Sequence, residues 1–114
     1  MPEFPVELGV EDLTELLPVT DPKTYRLVDC READEWQICR IEGAELIPLS
    51  NFAEEAPRKL AGSIDQQIIV YCHHGVRSLH ATRWLRQNGF PHARSLRGGI
   101  AHWADAMDPD MARY

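Results

Sequence analysis

Ile68-Ile69-Val70-Tyr71-Cys72-His73-His74-Gly75-Val76-Arg77-Ser78 is the stretch on which the reading of this chain turns. Its first four residues are apolar on both faces, the pattern of a central strand in a parallel sheet. A cysteine and a short glycine-bearing turn follow. Then Ser78, Ala81, Leu85 and Asn88 recur at helical spacing until Gly89 supplies a stop. A strand, a tight turn and a helix start make an anion cradle, because the turn's amides point inward and the helix dipole adds its positive end. Cys72 stands at the base of that cradle.

A free thiol, with a pKa of about 8.5, is largely protonated at neutral pH, and only the thiolate is a nucleophile. Lowering that value by about two units takes about 2.7 kcal/mol of differential stabilisation. Backbone donors, a helix N-terminus and Arg77 can supply it together. Gly75 lets amides turn inward where a Cβ would obstruct. Ser78, in the first helical turn, can cap the helix or donate to the sulfur. His73 and His74 are read as loop formers first and as contacts to a bound anion second.

Outward from the loop, short strand-like runs alternate with helical patterns, which predicts a parallel α/β sheet. Val6-Glu7-Leu8 reads as the first strand. Val10, Leu13, Leu16 and Leu17 then repeat at helical spacing until Pro18. Tyr25 to Cys30 is the second strand, with Leu27 and Val28 as its buried pair, and Arg31 to Trp36 is a short acidic helix or turn. Ala44 to Pro48 is a third strand, marked by Pro48 as short or at an edge. Asn51 with Glu54 starts a helix that Pro57 limits. Ala93 to Leu96 is the last strand, and Gly98-Gly99 opens a helix running through Trp103 to Met107. Five strands and five helices fill residues 1–114 as one domain, with a core from about 6 to 107 and loose ends at Pro2 to Pro5 and Asp108 to Tyr114.

With 44% hydrophobic and 26% charged residues the composition is that of an ordinary globular domain. No apolar stretch approaches the ~20 residues of a membrane span, and no basic-then-apolar leader opens the chain, so no membrane contact and cytoplasmic residence are expected. A net charge of −6 argues against nucleic acid as the partner. Arg77, Arg83, Arg86, Arg94 and Arg97 nevertheless gather in the last third, where a basic rim would suit a small anion. A solvated helix face accounts equally well for Arg83 and Arg86. Cys30, Cys39 and Cys72 are odd in number and form no CxxC pair, which fits a reducing compartment.

Two other chemistries are set aside. Contiguous Cys72, His73 and His74 cannot all turn toward one tetrahedral centre, and no second Cys/His group stands at ligand spacing, so no metal is expected. A cysteine–histidine hydrolase needs an oriented imidazole, and nothing in the sequence places His80, His92 or His102 opposite Cys72.

Three segments in order carry a family resemblance. They are Leu27 to Glu32 with Glu35-Trp36 and Ile41 to Ala44 leading to Ile47-Pro48; Ile69 to Cys72 with the loop to Ser78; and Leu96-Arg97-Gly98-Gly99-Ile100 with Trp103. From about Val6 to Met107 the chain resembles the single-domain rhodaneses, a family of sulfurtransferases. The resemblance implies a rhodanese-like three-layer α/β/α fold with a five-stranded parallel sheet and an active loop at a strand's C-terminal end. It implies that Cys72 takes sulfur from a small anionic donor such as thiosulfate and hands it, as a persulfide, to a thiol or cyanide. It implies no cofactor. The backbone of His73, His74, Gly75, Val76, Arg77 and Ser78 would stabilise the persulfide, Arg77 would help bind the donor, and Asp29 and Arg31 would support the loop by hydrogen bonds.

The same loop would serve a non-catalytic carrier that receives sulfur from a persulfide-donating partner protein. Related small phosphatases and arsenate reductases carry five residues between cysteine and arginine. Here His73, His74, Gly75 and Val76 make four, a cradle sized for sulfur more than for a tetrahedral oxyanion. Cys30 stands where the family more often has valine; core packing is the leading reading, with a resolving thiol as the other. Cys39 replaces a common glycine and Arg40 the usual histidine. Trp36 and Trp103 are read as packing residues.

Overall fold

The computed structural model describes residues 5–16 and 25–114. The helix stop expected at Leu17 and Pro18 lies outside them, as does most of the loose start at Pro2 to Pro5. Ile68 to Tyr71 run through the middle of the sheet. With Gln67 they form β4 (Gln67–Tyr71), which pairs on one side with β2 (Tyr25–Asp29) and on the other with β5 (Ala93–Leu96). β1 (Glu7–Leu8) lies outside β5, and β3 (Glu45–Leu46) lies outside β2. The sheet is five-stranded and parallel throughout, in the order β1-β5-β4-β2-β3.

β1, β2 and β3 are shorter than their sequence patterns, yet the ladder continues past their ends. Val6 C=O accepts from Ser95 N at 2.7 Å, Cys30 N donates to Tyr71 C=O at 3.0 Å, and Ile47 N donates to Asp29 C=O at 2.9 Å. β3 lies at an edge, where Pro48 is tolerated.

Strand alternation sorts the apolar residues onto two faces. Leu27, Ile69, Tyr71 and Leu96 pack with Val10 and Leu13 of α1 (Val10–Leu16) and with Ile100 and Trp103 of α5 (Gly99–Met107). Val28, Cys30, Ile68, Val70, Cys72 and Ala93 pack with Phe52 and Ala56 of α3 (Phe52–Lys59) and with Ala81 and Leu85 of α4 (Val76–Gln87). The result is the three-layer α/β/α fold that the family resemblance implies.

α2 (Ala33–Ile38) occupies the acidic stretch after β2, fixed by a capping box between Glu32 and Glu35. Pro57 does not end α3, which runs on to Lys59. Ala53 and Pro57 are both exposed, so the carbonyl that Pro57 leaves without its helical donor can face water. Arg86 does more than solvate a helix face: its Nε donates to Ala93 C=O at 2.8 Å and ties α4 to β5.

Residues 108–114 are not the loose end their composition suggests. Met111 packs against the α1/α5 side of the core, Arg113 pairs with Asp105 at 2.9 Å, and Tyr114 reaches back to the end of β2. From their C-terminal ends, β2 leads through α2 outward to β3 and β4 leads through α4 outward to β5 on the opposite side. Adjacent parallel strands whose connections part in this way open a crevice, the place where α/β sheets hold ligands. Cys72 is the first residue after β4 and stands in that crevice.

Candidate active site

Cys72 is buried, with 1% of its surface exposed, and its sulfur is the focus of converging donors. Gly75 N donates to Sγ at 3.0 Å and Ser78 N, in the first turn of α4, donates at 3.3 Å. Ser78 Oγ lies 3.4 Å from the sulfur and 2.7 Å from Ser95 Oγ on β5, so a chain of hydroxyls backs the loop. Gly75 precedes α4 in the left-handed region, at φ +100°, which turns its amide toward the sulfur. Its place is tight as well, since a Cβ there would come within 3.1 Å of Gly98 N.

The Gly98-Gly99 pair, read in the sequence as a helix opener, is also the pad beneath the loop. Ile100 N and Ala101 N, at the start of α5, donate to the carbonyls of Cys72 and His73 at 2.8 and 3.1 Å. A Cβ on Gly99, at φ +64°, would fall 2.5 Å from both of those carbonyl oxygens. The loop therefore has its carbonyls turned to α5 and the amides of Gly75 and Ser78 turned to the sulfur.

These donors decide which sulfur is ionised. The Cys72 thiol is lowered to about 4, foremost by a hydrogen bond from the Cys30 thiol, then by the Ser78 hydroxyl and the Ser78 and Gly75 amides, against a burial that opposes ionisation. The Cys30 thiol is pushed far up by the same hydrogen bond and by burial. Cys72 is thus the thiolate and Cys30 the proton holder. None of the partners of Sγ among the described residues is an imidazole.

The charged residues named in the sequence are held in ion pairs. Arg77, expected to help bind the anionic donor, holds Glu35 through two bonds of 2.8 Å. Arg77 holds the Glu35 carboxyl down to about 2, with Glu32 N and the Tyr114 hydroxyl also donating to it. Asp29 and Arg31 form a fully buried pair, joined at 2.6 Å between Nη2 and Oδ2 with further bonds through Nε and the Arg31 amide.

Among the described residues, neither Asp29 nor Arg31 has a direct hydrogen bond to residues 72–78. Arg31 instead binds the carbonyls of Glu35 and Cys39 and the hydroxyl of Tyr114. Tyr114 passes the connection on, donating to Glu35 at 3.1 Å, and Glu35 holds Arg77. The support expected of Asp29 and Arg31 therefore reaches the loop at third hand.

Glu35, named in the sequence only as part of a family segment, and Tyr114 were not expected at the site. Glu35 has a faint signal in the Glu32-x-x-Glu35 capping spacing; Tyr114 has none. The Tyr114 ring stacks on His73 with centroids 4.1 Å apart, and His73 stacks on His74 at 3.9 Å. The three rings form one wall beside a cavity of about 220 Å³ that Cys39, Ile100 and Met111 also line. His73 is biased toward its neutral form by burial and by the neighbouring His74. Trp103 is buried in the core, whereas Trp36 is half-buried and serves mainly as a face for Arg40, 4.6 Å from its centroid.

Compared with known families, residues 10–106 match the rhodanese-like domain. The chain belongs to the rhodanese-like family. It is 43% identical over 89 residues to the probable adenylyltransferase/sulfurtransferase MoeZ of Mycobacterium tuberculosis, covering 77% of this chain and 22% of that protein. It is 29% identical over 94 residues to the thiosulfate sulfurtransferase GlpE of Shewanella oneidensis, covering 82% of this chain and 90% of that one. Among solved structures, the human single-domain sulfurtransferase TSTD1 superposes with a TM-score of 0.75 at 25% identity, over 90% of this chain and 97% of that chain. The chain spans 20 to 28% of the length of MoeZ and of the maize and Salmonella relatives it matches. MoeZ, the maize relatives, GlpE and TSTD1 are sulfurtransferases, and the Salmonella relative is a tRNA uridine(34) hydroxylase. Among the described residues no helix is long and apolar enough to cross a membrane, and no group of three or more His, Cys, Asp or Glu could hold a metal.

Proposed function

We propose that this rhodanese-like domain moves sulfane sulfur through a persulfide on Cys72, with thiosulfate or a similar anion as donor. The observation that carries the reading is the thiolate itself, met by the Gly75 and Ser78 amides inside a four-residue loop. The Cys72 thiolate attacks the outer sulfur of thiosulfate, the sulfur–sulfur bond of the donor breaks, and sulfite leaves with its electron pair. The new outer sulfur then lies within the loop, where inward amides meet its negative charge. A thiol or cyanide attacks that outer sulfur, and Cys72 departs as the thiolate it was, so no base or cofactor is needed. Arg77, the more exposed partner of its pair with Glu35, offers its outer edge to the incoming anion.

The proposal takes residues 1–114 as one domain. The three thiols are all free, which supports work in a reducing compartment such as the cytoplasm. A second reading rests on coverage: the match to a fifth of MoeZ supports a relay domain that takes its sulfur from a partner protein and turns over slowly alone.

The test is thiocyanate formation from thiosulfate and excess cyanide, with sulfite measured in parallel. Wild type is expected to form both, and Cys72→Ser neither. Thiocyanate formation that persists in Cys72→Ser removes the proposal. A stoichiometric burst of sulfite followed by turnover only when a partner protein is added selects the relay reading.

A further inference from the structure

Cys30 carries no sulfur in the transfer just described, and its position is specific. Asp29 and Tyr71 are register partners on parallel strands, and Cys30 N donates to Tyr71 C=O at 3.0 Å, so Cys30 and Cys72 occupy the next rung of the ladder. Both side chains belong to the same core face, between the sheet and α3 and α4. Neighbouring strands lie about 4.8 Å apart, inside the ~4.4–6.8 Å Cα window that a disulfide spans. The Cys30 thiol is also the foremost influence that lowers the Cys72 thiol, as a near neighbour on the adjacent strand would be. Gly75 and Ser78 reach Sγ of Cys72 from the loop and α4, while Cys30 stands beside Cys72 on the neighbouring strand.

We propose that Cys30 is an internal acceptor: when no external thiol arrives, it attacks Sγ of the Cys72 persulfide, forms a Cys30–Cys72 disulfide and releases the sulfane sulfur as hydrosulfide. The inference rests on the persulfide reading above. A sulfur–sulfur bond forms between Cys30 and Cys72, and the bond from Cys72 Sγ to the outer sulfur breaks. The outer sulfur leaves with the electron pair and takes the Cys30 proton, so one negative charge enters on the persulfide and one leaves on HS⁻. The sulfane sulfur is reduced by two electrons and the two cysteine sulfurs are oxidised, with no outside oxidant.

The resting site holds this reaction in check. While Cys72 is a thiolate, its charge keeps Cys30 protonated and inert. Persulfide formation moves that charge one bond outward, toward the loop amides, and frees Cys30 to act at the moment its proton has a destination. A dithiol then restores both cysteines, which makes the domain a source of sulfide from thiosulfate at the expense of dithiol.

The test loads fully reduced protein with one equivalent of thiosulfate without acceptor, and follows sulfite, sulfide and whole-protein mass. Wild type is expected to release sulfite and then an equal amount of sulfide, and to finish lighter by two hydrogen atoms, with Cys30 and Cys72 peptides linked. Cys30→Ser keeps a donor for the thiolate but cannot form the bridge. It should release sulfite, retain one added sulfur atom, and lower sulfide yield at least about tenfold. Cys39→Ser should still form the bridge. Sulfite release with stable persulfide in wild type overturns the inference and leaves the transfer reading standing; so does a bridge through Cys39. Absence of sulfite from both wild type and Cys30→Ser overturns both.

Discussion

The ends of β2 and β4 offer opposite chemistry to the two faces of the sheet. Toward α3 and α4 they present two sulfurs, Cys30 and Cys72; toward α1 and α5 they present Asp29 and Tyr71, with the Arg31 guanidinium 5.6 Å above the Tyr71 ring. On the sulfur face one negative charge is held by neutral donors, a thiol, a hydroxyl and two amides. On the other face a formal charge is held by an opposite charge, Arg31 by Asp29, and at the end of the sheet Arg77 of α4 is held by Glu35 of α2. Neutral donors let a charge appear, move and vanish without stranding a counter-ion. Ion pairs do not, so the second face suits a fixed frame and the first suits turnover.

The largest effect expected from that contrast is in stability. Asp29→Ala leaves Arg31 charged and buried, and is expected to lower the unfolding free energy by about 3–5 kcal/mol in urea titration. Cys30→Ser keeps a donor beside the thiolate and removes no ion pair, so its change should stay below about 1.5 kcal/mol. If the two substitutions cost the same, the faces do not differ in the way argued.

Gly99→Ala comes next, because it strikes the joint between the faces. The added Cβ meets the Cys72 and His73 carbonyls at 2.5 Å with φ at +64°. Strain of about 1–3 kcal/mol is expected, together with slower alkylation of Cys72 as the loop is pushed off α5. Wild-type alkylation rates in that variant would show that α5 does not set the loop's shape.

The order of these effects tracks what the sequence could reveal. The strand, turn and helix from Ile68 to Asn88 were legible because local pattern dictates them: an apolar run, a glycine in the left-handed region, a helical repeat. The Gly98-Gly99 pair was legible as a helix start, yet its contact with the Cys72 carbonyl depends on how β4 and β5 align. Glu35 and Arg77 are 42 residues apart and Arg31 and Tyr114 are 83 apart, so topology alone joins them. Tyr114 lies in a short polar tail with no periodicity, and nothing local marks it as packed. Asp29 and Arg31 could be picked out as a polar pair at a strand end, but only the folded chain shows that both are fully buried.

A smaller effect tests the neutral donors themselves. With Cys72 lowered to about 4, its alkylation rate should stay flat from alkaline pH down past neutrality and fall only as pH approaches that value. The stability linked to ionisation has the same sign: present above the ordinary thiol pKa of about 8.5, and lost as pH falls through the folded value. Ser78→Ala removes a donor, so the inflection should move up by about one unit, equivalent to about 1.4 kcal/mol. An inflection near the ordinary thiol value in wild type would mean that the cradle does not hold a thiolate at rest.

The smallest effect belongs to the link between the frame and the loop. Tyr114→Phe keeps the ring on His73 but deletes the hydroxyl that accepts from Arg31 at 2.9 Å and donates to Glu35 at 3.1 Å. Arg31 retains Asp29 and the Cys39 carbonyl, and Glu35 retains Arg77 and the Glu32 amide. Tyr114 is 43% exposed, so water can take the place of the lost hydroxyl. A loss of about 0.5–1.5 kcal/mol is expected in urea titration, with the inflection of Cys72 alkylation unmoved. A shift of that inflection in Tyr114→Phe would show the two faces to be electrically coupled through Glu35 and Arg77. The charge network would then help set the charge on the sulfur, and the separation between frame and turnover would fail where the tail meets the loop.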